Sequence, residues 1–392
     1  MRFFVPTNIY IENDCVKNHA QDLLAIGKRA LIVTGHNSAA ANGSLNDVTN
    51  ILMTGDIPYL IFSEVEENPS TDTVEKATQI AQKFNADFII GIGGGSAIDA
   101  AKAVALLLVN PDINADEIHN APSHPRNHAP VVAVPTTCGT GSEVTPVSII
   151  TNHKINLKKS IPHVIFPDLA LVDGKYLASA KKRLVVNTAV DALAHMVESI
   201  LNVKSNLLNR MCPEYGLKLW GESKYALLLD YDCENSNKNG AAPNTTLIDA
   251  LNATPIDAIL YEKLMLTSTI AGMSIAQTST AVPHGMSYDL TLHAGIPHGP
   301  AVGYFLAAAY VEVCAKFVPQ DVEKSLSLLG LQSIEEFREM LCKLIGTCTV
   351  TREMRDQFAA AMKENHSKLD LVPGKITPED IDYIYEKSLV VE

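Results

Sequence analysis

What the chain lacks narrows its class before any motif is read. It has no Cys-x-x-Cys pair, and its seven cysteines (Cys15, Cys138, Cys212, Cys233, Cys314, Cys342 and Cys348) are odd in number and scattered. That pattern excludes a zinc ribbon and a disulfide framework and suits the reduced thiols of a cytosolic protein. The opening residues, MRFFVPTNIYIEND, carry no long apolar segment and no small-residue cleavage site, so no secretory signal is read there and a cytoplasmic location is expected. Long hydrophobic runs are missing too. The most apolar stretch, 301–318, is broken by Glu312 and Lys316 and reads as a buried core helix, so no membrane is expected as a partner. Basic charge is in deficit: 31 Lys and Arg against 44 Asp and Glu leave a net charge of -13, which argues against a nucleic-acid partner. With 47% hydrophobic and 19% charged residues over 392 positions, what is present is enough apolar surface for a large core divided between two domains.

The first half alternates two periodicities. Short apolar runs at 30–34, 87–92 and 131–134 read as strands, and segments 71–84 and 97–109 as helices, which implies an α/β layer with a mostly parallel sheet. After about residue 182 helical spacing dominates, over 186–203, 256–277, 301–317, 334–345 and 352–363. An α/β domain over 1–180 and an all-helical domain over 181–392 are therefore expected. The polar stretch 230–246 (DYDCENSNKNGAAPNTT) reads as an exposed loop.

Two loops follow strand candidates. Gly91-Ile-Gly-Gly-Gly-Ser-Ala-Ile-Asp99 opens a helix and could cradle a phosphate on free N–H groups. Ser96 stands where the third glycine of a dinucleotide fingerprint belongs, and Lys102 does not follow a glycine as in a Walker loop. Alone the run is a weak signal, with a tight structural turn as the alternative reading. The second loop, 135–145, carries hydroxyls at Thr136, Thr137, Thr140, Ser142 and Thr145, which suit a pyrophosphate or ribose or, more plainly, a cluster of turn caps. Two such loops at the carboxyl ends of successive strands favour nucleotide binding.

Asp191 and His195, four residues apart, share one face of a helix and can grip one divalent ion. Three histidines then fall between 284 and 298, two of them, His284 and His298, in Pro-His-Gly settings. One aspartate with two or three histidines suits a first-row metal with a position left open for substrate. His293 fits that ligand set least well.

In their order along the chain, Gly93-Gly-Gly-Ser96 with Asp99, Pro135-Thr-Thr-x-Gly-Thr-Gly-Ser-Glu143, Asp191-Ala-Leu-x-His195-x-x-Glu198, His284-Gly-Met and Gly295-Ile-Pro-His298-Gly299 resemble the iron-containing (group III) alcohol dehydrogenase family. The resemblance implies the dehydroquinate synthase-like fold of that family, with an α/β dinucleotide-binding domain and an all-α domain. It implies metal ligation by Asp191, His195, His284 and His298, with Fe2+, or alternatively Zn2+. It also implies cofactor contacts from Asn68, Gly94, Gly95, Ser96, Asp99, Thr136, Thr137, Thr145 and Lys158. A small alcohol or aldehyde as substrate and a homodimer are implied as well.

Two departures from the family pattern bear on chemistry. Where many members carry an acidic residue after the first strand, this chain has Gly35, His36, Asn37 and Ser38, which removes repulsion toward a 2′-phosphate and leads us to expect NADP(H) over NAD(H), with Gly35 and Ser38 at the cofactor. Where many members have a histidine four residues after His284, this chain has Tyr288, so Tyr288, with His293 as a substitute, is the candidate proton relay. A glycerol-type polyol dehydrogenase using zinc is the alternative within the fold; a phosphate-ester metal hydrolase and a non-catalytic nucleotide-binding protein are the alternatives outside it.

Overall fold

A computed structural model describes residues 1–120, 122, 126–239 and 258–392. The chain forms two compact units, one of Phe4–Lys181 and one of Lys182–Glu392 with Met1–Phe3.

The first unit is built on six parallel strands: β1 (Asn8–Ile11), β2 (Ala30–Gly35), β3 (Tyr59–Val65), β4 (Phe88–Gly93), β5 (Val131–Pro135) and a strand over Leu169–Val172. Between the last two, β6 (Ile149–Asn152) and β7 (Leu157–Ser160) form an antiparallel hairpin, so the Leu169–Val172 strand is β8. The order across the sheet is β1-β8-β5-β4-β2-β3, with every pairing parallel. Parallel strands must be covered on both faces, and β4 and β5 are accordingly buried at every residue. Alternation along β2 sorts its side chains. Leu31 and Val33 pack with helices Thr71–Phe84 and Gly95–Val109, whereas Ala30 and Ile32 pack on the other face with Val48 and Leu52 of helix Ser44–Thr54.

That sorting positions the glycine turn. Helix Ser44–Thr54 follows β2 on one face and helix Gly95–Val109 follows β4 on the other, although β2 and β4 are neighbours. Connections leaving adjacent strands for opposite faces open a crevice at the carboxyl edge, the place where α/β sheets bind ligands.

Local sequence explains the helix ends. Thr71–Phe84 starts because the Ser70 hydroxyl accepts from Thr73 N at 3.2 Å, and it stops at Asn85, which takes the left-handed conformation (φ 53°).

The second unit is helical, with one short parallel strand pair among the described residues, β9 (Cys348–Val350) and β10 (Leu389–Val391). Helix Lys182–Ile200 is its centre and is buried at all but a few positions. The segment expected as one helix over 301–317 is instead helix His298–Phe305, a π-helical stretch Leu306–Tyr310 and helix Val311–Ala315. It is buried, and no described helix is long and apolar enough to cross a membrane. The stretch expected as a loop from residue 230 is a correction: helix Met211–Asn239 continues through 239, while 240–246 lies outside the described residues. The segment 230–239 has several Asn, Asp and Ser but no Gly or Pro. Each of those polar residues costs a helix under about 0.7 kcal/mol, too little to stop one already running.

Candidate functional site

At the carboxyl edge of the sheet the two loops pack directly on each other. A Cβ at Gly95 would lie 2.7 Å from Thr140 Cγ2, and one at Gly94 3.1 Å from the Thr137 hydroxyl, so only glycine lets the turn approach the threonine loop. Gly93 takes φ 149° and its carbonyl accepts from Thr136 N at 2.9 Å. Gly94 then caps the 15-residue helix Gly95–Val109: its carbonyl accepts from Ala97 N at 3.1 Å and Ile98 N at 3.3 Å, which leaves the Gly95 and Ser96 N–H groups without a backbone partner among the described residues, as an anion cradle requires. Ser96 Oγ accepts from Asn68 N at 3.2 Å, with Asn68 itself in the left-handed region (φ 60°), so the loop after β3 is tied to the turn after β4.

Asp99 and Thr145, both expected at the cofactor, are engaged within the protein. The Asp99 carboxylate accepts from Ser142 Oγ at 2.5 Å and from Ile149 N at 2.9 Å. Burial pushes its carboxyl up, opposed by Lys102, these hydrogen bonds and Lys158. Thr145 gives its carbonyl and hydroxyl to Lys102 Nζ, at 2.9 and 3.4 Å. Lys102 is fully buried and also donates to Ser142 Oγ and Val147 O, each at 2.8 Å; burial pulls its pKa down to about 8. Sequence reading set Lys102 aside as a Walker-loop lysine and gave it no other role, yet a lysine inside the run Ala100-Ala-Lys-Ala-Val104 is signal enough, since a buried ammonium must have partners. Thr136 is buried, Thr137 and Lys158 are half-buried, and Gly35 ends β2 with His36, Asn37 and Ser38 exposed beyond it.

In the helical unit, Asp191, His284 and His298 offer ligand atoms that all lie within 4.8 Å of one another. Asp191 Oδ1 is the hub, at 3.3 Å from His284 Nε2 and 3.7 Å from both His195 Nε2 and His298 Nε2. Helical spacing brings Asp191 and His195 to one face of Lys182–Ile200. His284 sits in the first turn of Val282–Ala294, and His298 begins the next helix. The rings of His195 and His284 stack at 4.5 Å. Glu198, completely buried, accepts from His284 N at 3.2 Å and faces Nδ1 of the same ring at 2.5 Å. With Nδ1–H donated to Glu198, Nε2 is the ring nitrogen turned to Asp191. Burial opposes a charge on His284, but Glu198 and Asp191 outweigh it and raise its pKa to about 9. Burial likewise opposes the Asp191 charge, and the three histidines outweigh it and hold its carboxyl low.

Asp191 Oδ1 and His284 Nε2 are buried and neither has a hydrogen-bond partner among the described residues. A carboxylate oxygen and an imidazole nitrogen in ion-pair contact at 3.3 Å but without hydrogen-bond geometry, with two further imidazoles beside them, form a donor set that a divalent cation satisfies. The residues therefore fit the metal that the sequence motif implies. Glu198 was quoted in that motif without a role; its position, three residues after His195 and seven after Asp191, already put it on their face.

Tyr288, one turn after His284, lies on the same side, with its ring stacked parallel to that of His298 at 6.2 Å. Lys368 Nζ sits 5.9 Å from the Tyr288 ring and donates to Thr280 O and Oγ1 at 2.8 and 2.7 Å. The structure does not bring His293 to this group. Nine residues past His284 is half a turn out of phase, and His293 is exposed, against the Phe358 ring at 5.8 Å.

Residues 6–174 match the iron-containing alcohol dehydrogenase family and residues 245–387 match its C-terminal domain, described as "Fe-containing alcohol dehydrogenase family, C-terminal". Among solved structures, an iron-containing alcohol dehydrogenase is 34% identical over 99% of this chain and 98% of its own, with a TM-score of 0.85. The iron-containing alcohol dehydrogenase of Thermotoga maritima is 33% identical over 99% of both chains, also with a TM-score of 0.85. The NADPH-dependent butanol dehydrogenase of Clostridium saccharobutylicum is 28% identical over 95% of this chain and 90% of its own.

Proposed function

The chain belongs to the iron-containing alcohol dehydrogenase family and is an alcohol oxidoreductase, and from that premise we propose that it interconverts a small primary alcohol or diol and its aldehyde using NADP(H) and a divalent metal. The observation that carries the reading is the convergence of Asp191 Oδ1 and His284 Nε2, 3.3 Å apart, buried and without hydrogen-bond geometry, with His195 and His298 beside them. These four residues would hold the ion, Fe2+ in the first place and Zn2+ as the alternative. When bound there it would supply Lewis-acid polarisation of the substrate oxygen. The nicotinamide would supply or accept the hydride.

The chain's own residues have separable tasks in this reading. Asp191 offsets part of the cation charge, and Glu198 keeps His284 in the ligating tautomer. Burial of Asp191, His195 and His284 excludes water around them, while His298, with 27% of its side chain exposed, marks the open side. Tyr288, on that side, orients the substrate hydroxyl and carries its proton at the phenol oxygen. In the other unit, the Gly94–Ser96 amides take the pyrophosphate, with Thr136, Thr137, Asn68 and Lys158 around them. Asp99 and Thr145 act by pinning the threonine loop through Ser142 and Lys102.

The NADP(H) preference is supported by the carboxylate-free end of β2, with exposed His36 and Ser38 as donors, and by the cofactor named for the Clostridium relative. The described cysteines are all free thiols, as a cytoplasmic protein keeps them. Edge strand β3 exposes Leu60 and Ile61, which supports a homodimer that covers this edge. Replacing His284 with Ala is expected to abolish metal binding and aldehyde reduction together; a variant that keeps one metal per chain contradicts the ligand assignment. A higher kcat/KM with NADH than with NADPH contradicts the cofactor assignment.

A further inference from the structure

Asn187 stands four residues before Asp191 on helix Lys182–Ile200 and so shares the face that carries Asp191 and His195. Its residue is only 8% exposed, yet its Oδ1 has no hydrogen-bond partner among the described residues. Leaving an amide oxygen buried and unbonded is costly, and such a group marks either a strained site or a place where something else binds. The helix that begins with His298 lies directly on Asn187. A Cβ on Gly299 would come 1.8 Å from the Asn187 carbonyl oxygen, so the glycine that follows His298 is what allows the two helices to meet there. Asn187 is thus held next to the metal group on both sides, through Asp191 along its own helix and through His298 across to the next, without belonging to the ligand set.

The partner of this amide is constrained by chemistry. Turning the carboxamide over exchanges its acceptor and donor ends, so the missing partner must satisfy either one. A hydroxyl does both. Residues four apart on a helix have Cβ atoms only about 5–6 Å apart, which is the reach of a hydroxyl one or two carbons from a reacting carbon held at Asp191. We infer that Asn187 is a specificity-determining residue that hydrogen-bonds a second hydroxyl of the substrate, so that the site favours short diols and their hydroxyaldehydes over unsubstituted alcohols. This rests on the reaction proposed above and adds to it the substrate class and the residue that selects it.

The test uses the metal-loaded protein, wild type and Asn187→Leu, with 1,2-propanediol and 1-propanol as probes. The ratio of kcat/KM for the diol over the monoalcohol is expected to fall about tenfold in the variant, the effect of one net hydrogen bond. Without cofactor, the diol is expected to raise the thermal midpoint of the wild type more than 1-propanol does, and the Leu variant to lose that difference. The unliganded Leu variant is expected to melt no lower than the wild type, because no side-chain hydrogen bond to a described residue is removed. An unchanged ratio with an unchanged diol shift overturns the inference and leaves Asn187 with a trapped water only. A clearly lower midpoint in the unliganded variant overturns it as well, by showing the amide to be structural. Failure of the wild type to oxidise either probe with any metal or nicotinamide is a different result: it contradicts the proposed reaction, and the inference falls with it.

Discussion

Replacing Glu198 with Gln alters the metal group without touching a ligand. Glu198 is fully buried and meets His284 twice, through the backbone N at 3.2 Å and through Nδ1 at 2.5 Å. A carboxylate accepts both bonds; an amide has only one accepting atom. If the Gln oxygen takes the backbone N–H, its NH2 faces Nδ1, which must then accept, and the ring proton moves to Nε2, the atom that faces Asp191. The ring can then no longer offer a lone pair there. Loss of such an outer hydrogen bond lowers metal affinity about 10–100-fold, or about 1.4–2.8 kcal/mol. The substitution also removes one of the two carboxylates that hold the His284 pKa near 9, which by itself would ease metal binding by reducing proton competition. The tautomer effect is expected to win, because at neutral pH proton competition weakens binding by only about the same one to two decades and Asp191 remains to sustain part of it. Chelator-competition titration with Zn(II), alongside circular dichroism to confirm the fold, reads the result. A folded Glu198→Gln protein that binds zinc within twofold of the wild type refutes the reasoning.

Other outcomes follow from the same geometry. Gly299→Ala places a methyl 1.8 Å from Asn187 O, so the protein is expected to lose about 1–3 kcal/mol in denaturant unfolding, with metal content falling as His298 shifts; an unchanged midpoint contradicts the close approach. At Gly35 a Cβ would have the Val65 carbonyl at 3.4 Å, ordinary contact, so Gly35→Asp is expected to fold and to swing the NADPH-to-NADH ratio of kcat/KM toward NADH by about tenfold or more. No swing would mean that this position does not face the ribose. Among the described cysteines, exposed Cys342 is expected to react first with a thiol reagent under native conditions, and Cys15 and Cys314, buried and pushed up to about 12, to react only on unfolding. Mass mapping of the labelled peptides reads the order.

What could be read from the sequence was what local chemistry marks. Helices 71–84, 334–345 and 352–363 emerge with those bounds because each has an apolar stripe and a Ser or Thr cap, at Ser70, Ser333 and Thr351. Strands β2, β4 and β5 show because their runs are apolar on both faces and end in Gly or Pro. Edge strand β3 and the hairpin β6–β7 went unread, since β3 exposes half its length and Leu157-Lys-Lys-Ser160 has no apolar face; their pairing comes from tertiary neighbours. In the metal group, helical spacing alone joined Asp191 to His195, and only the fold brings His284 and His298 to them across the chain. The same spacing argument applied to His293 would have put it on the far side of its helix from His284. Asp99 and Thr145 were expected at the cofactor because the family resemblance implies it. Their bonds to Ser142, Ile149 and Lys102 could be seen only in three dimensions.

The central claim is that the Asp191 group binds the metal on which alcohol–aldehyde turnover depends. Chelator-stripped protein should be assayed anaerobically for NADPH oxidation with a short aldehyde while Fe(II), or separately Zn(II), is titrated in. The account predicts no turnover at the start and a rise that saturates near one metal per chain. Full turnover in the stripped protein, or metal bound with no turnover on any short aldehyde with either nicotinamide, would contradict it.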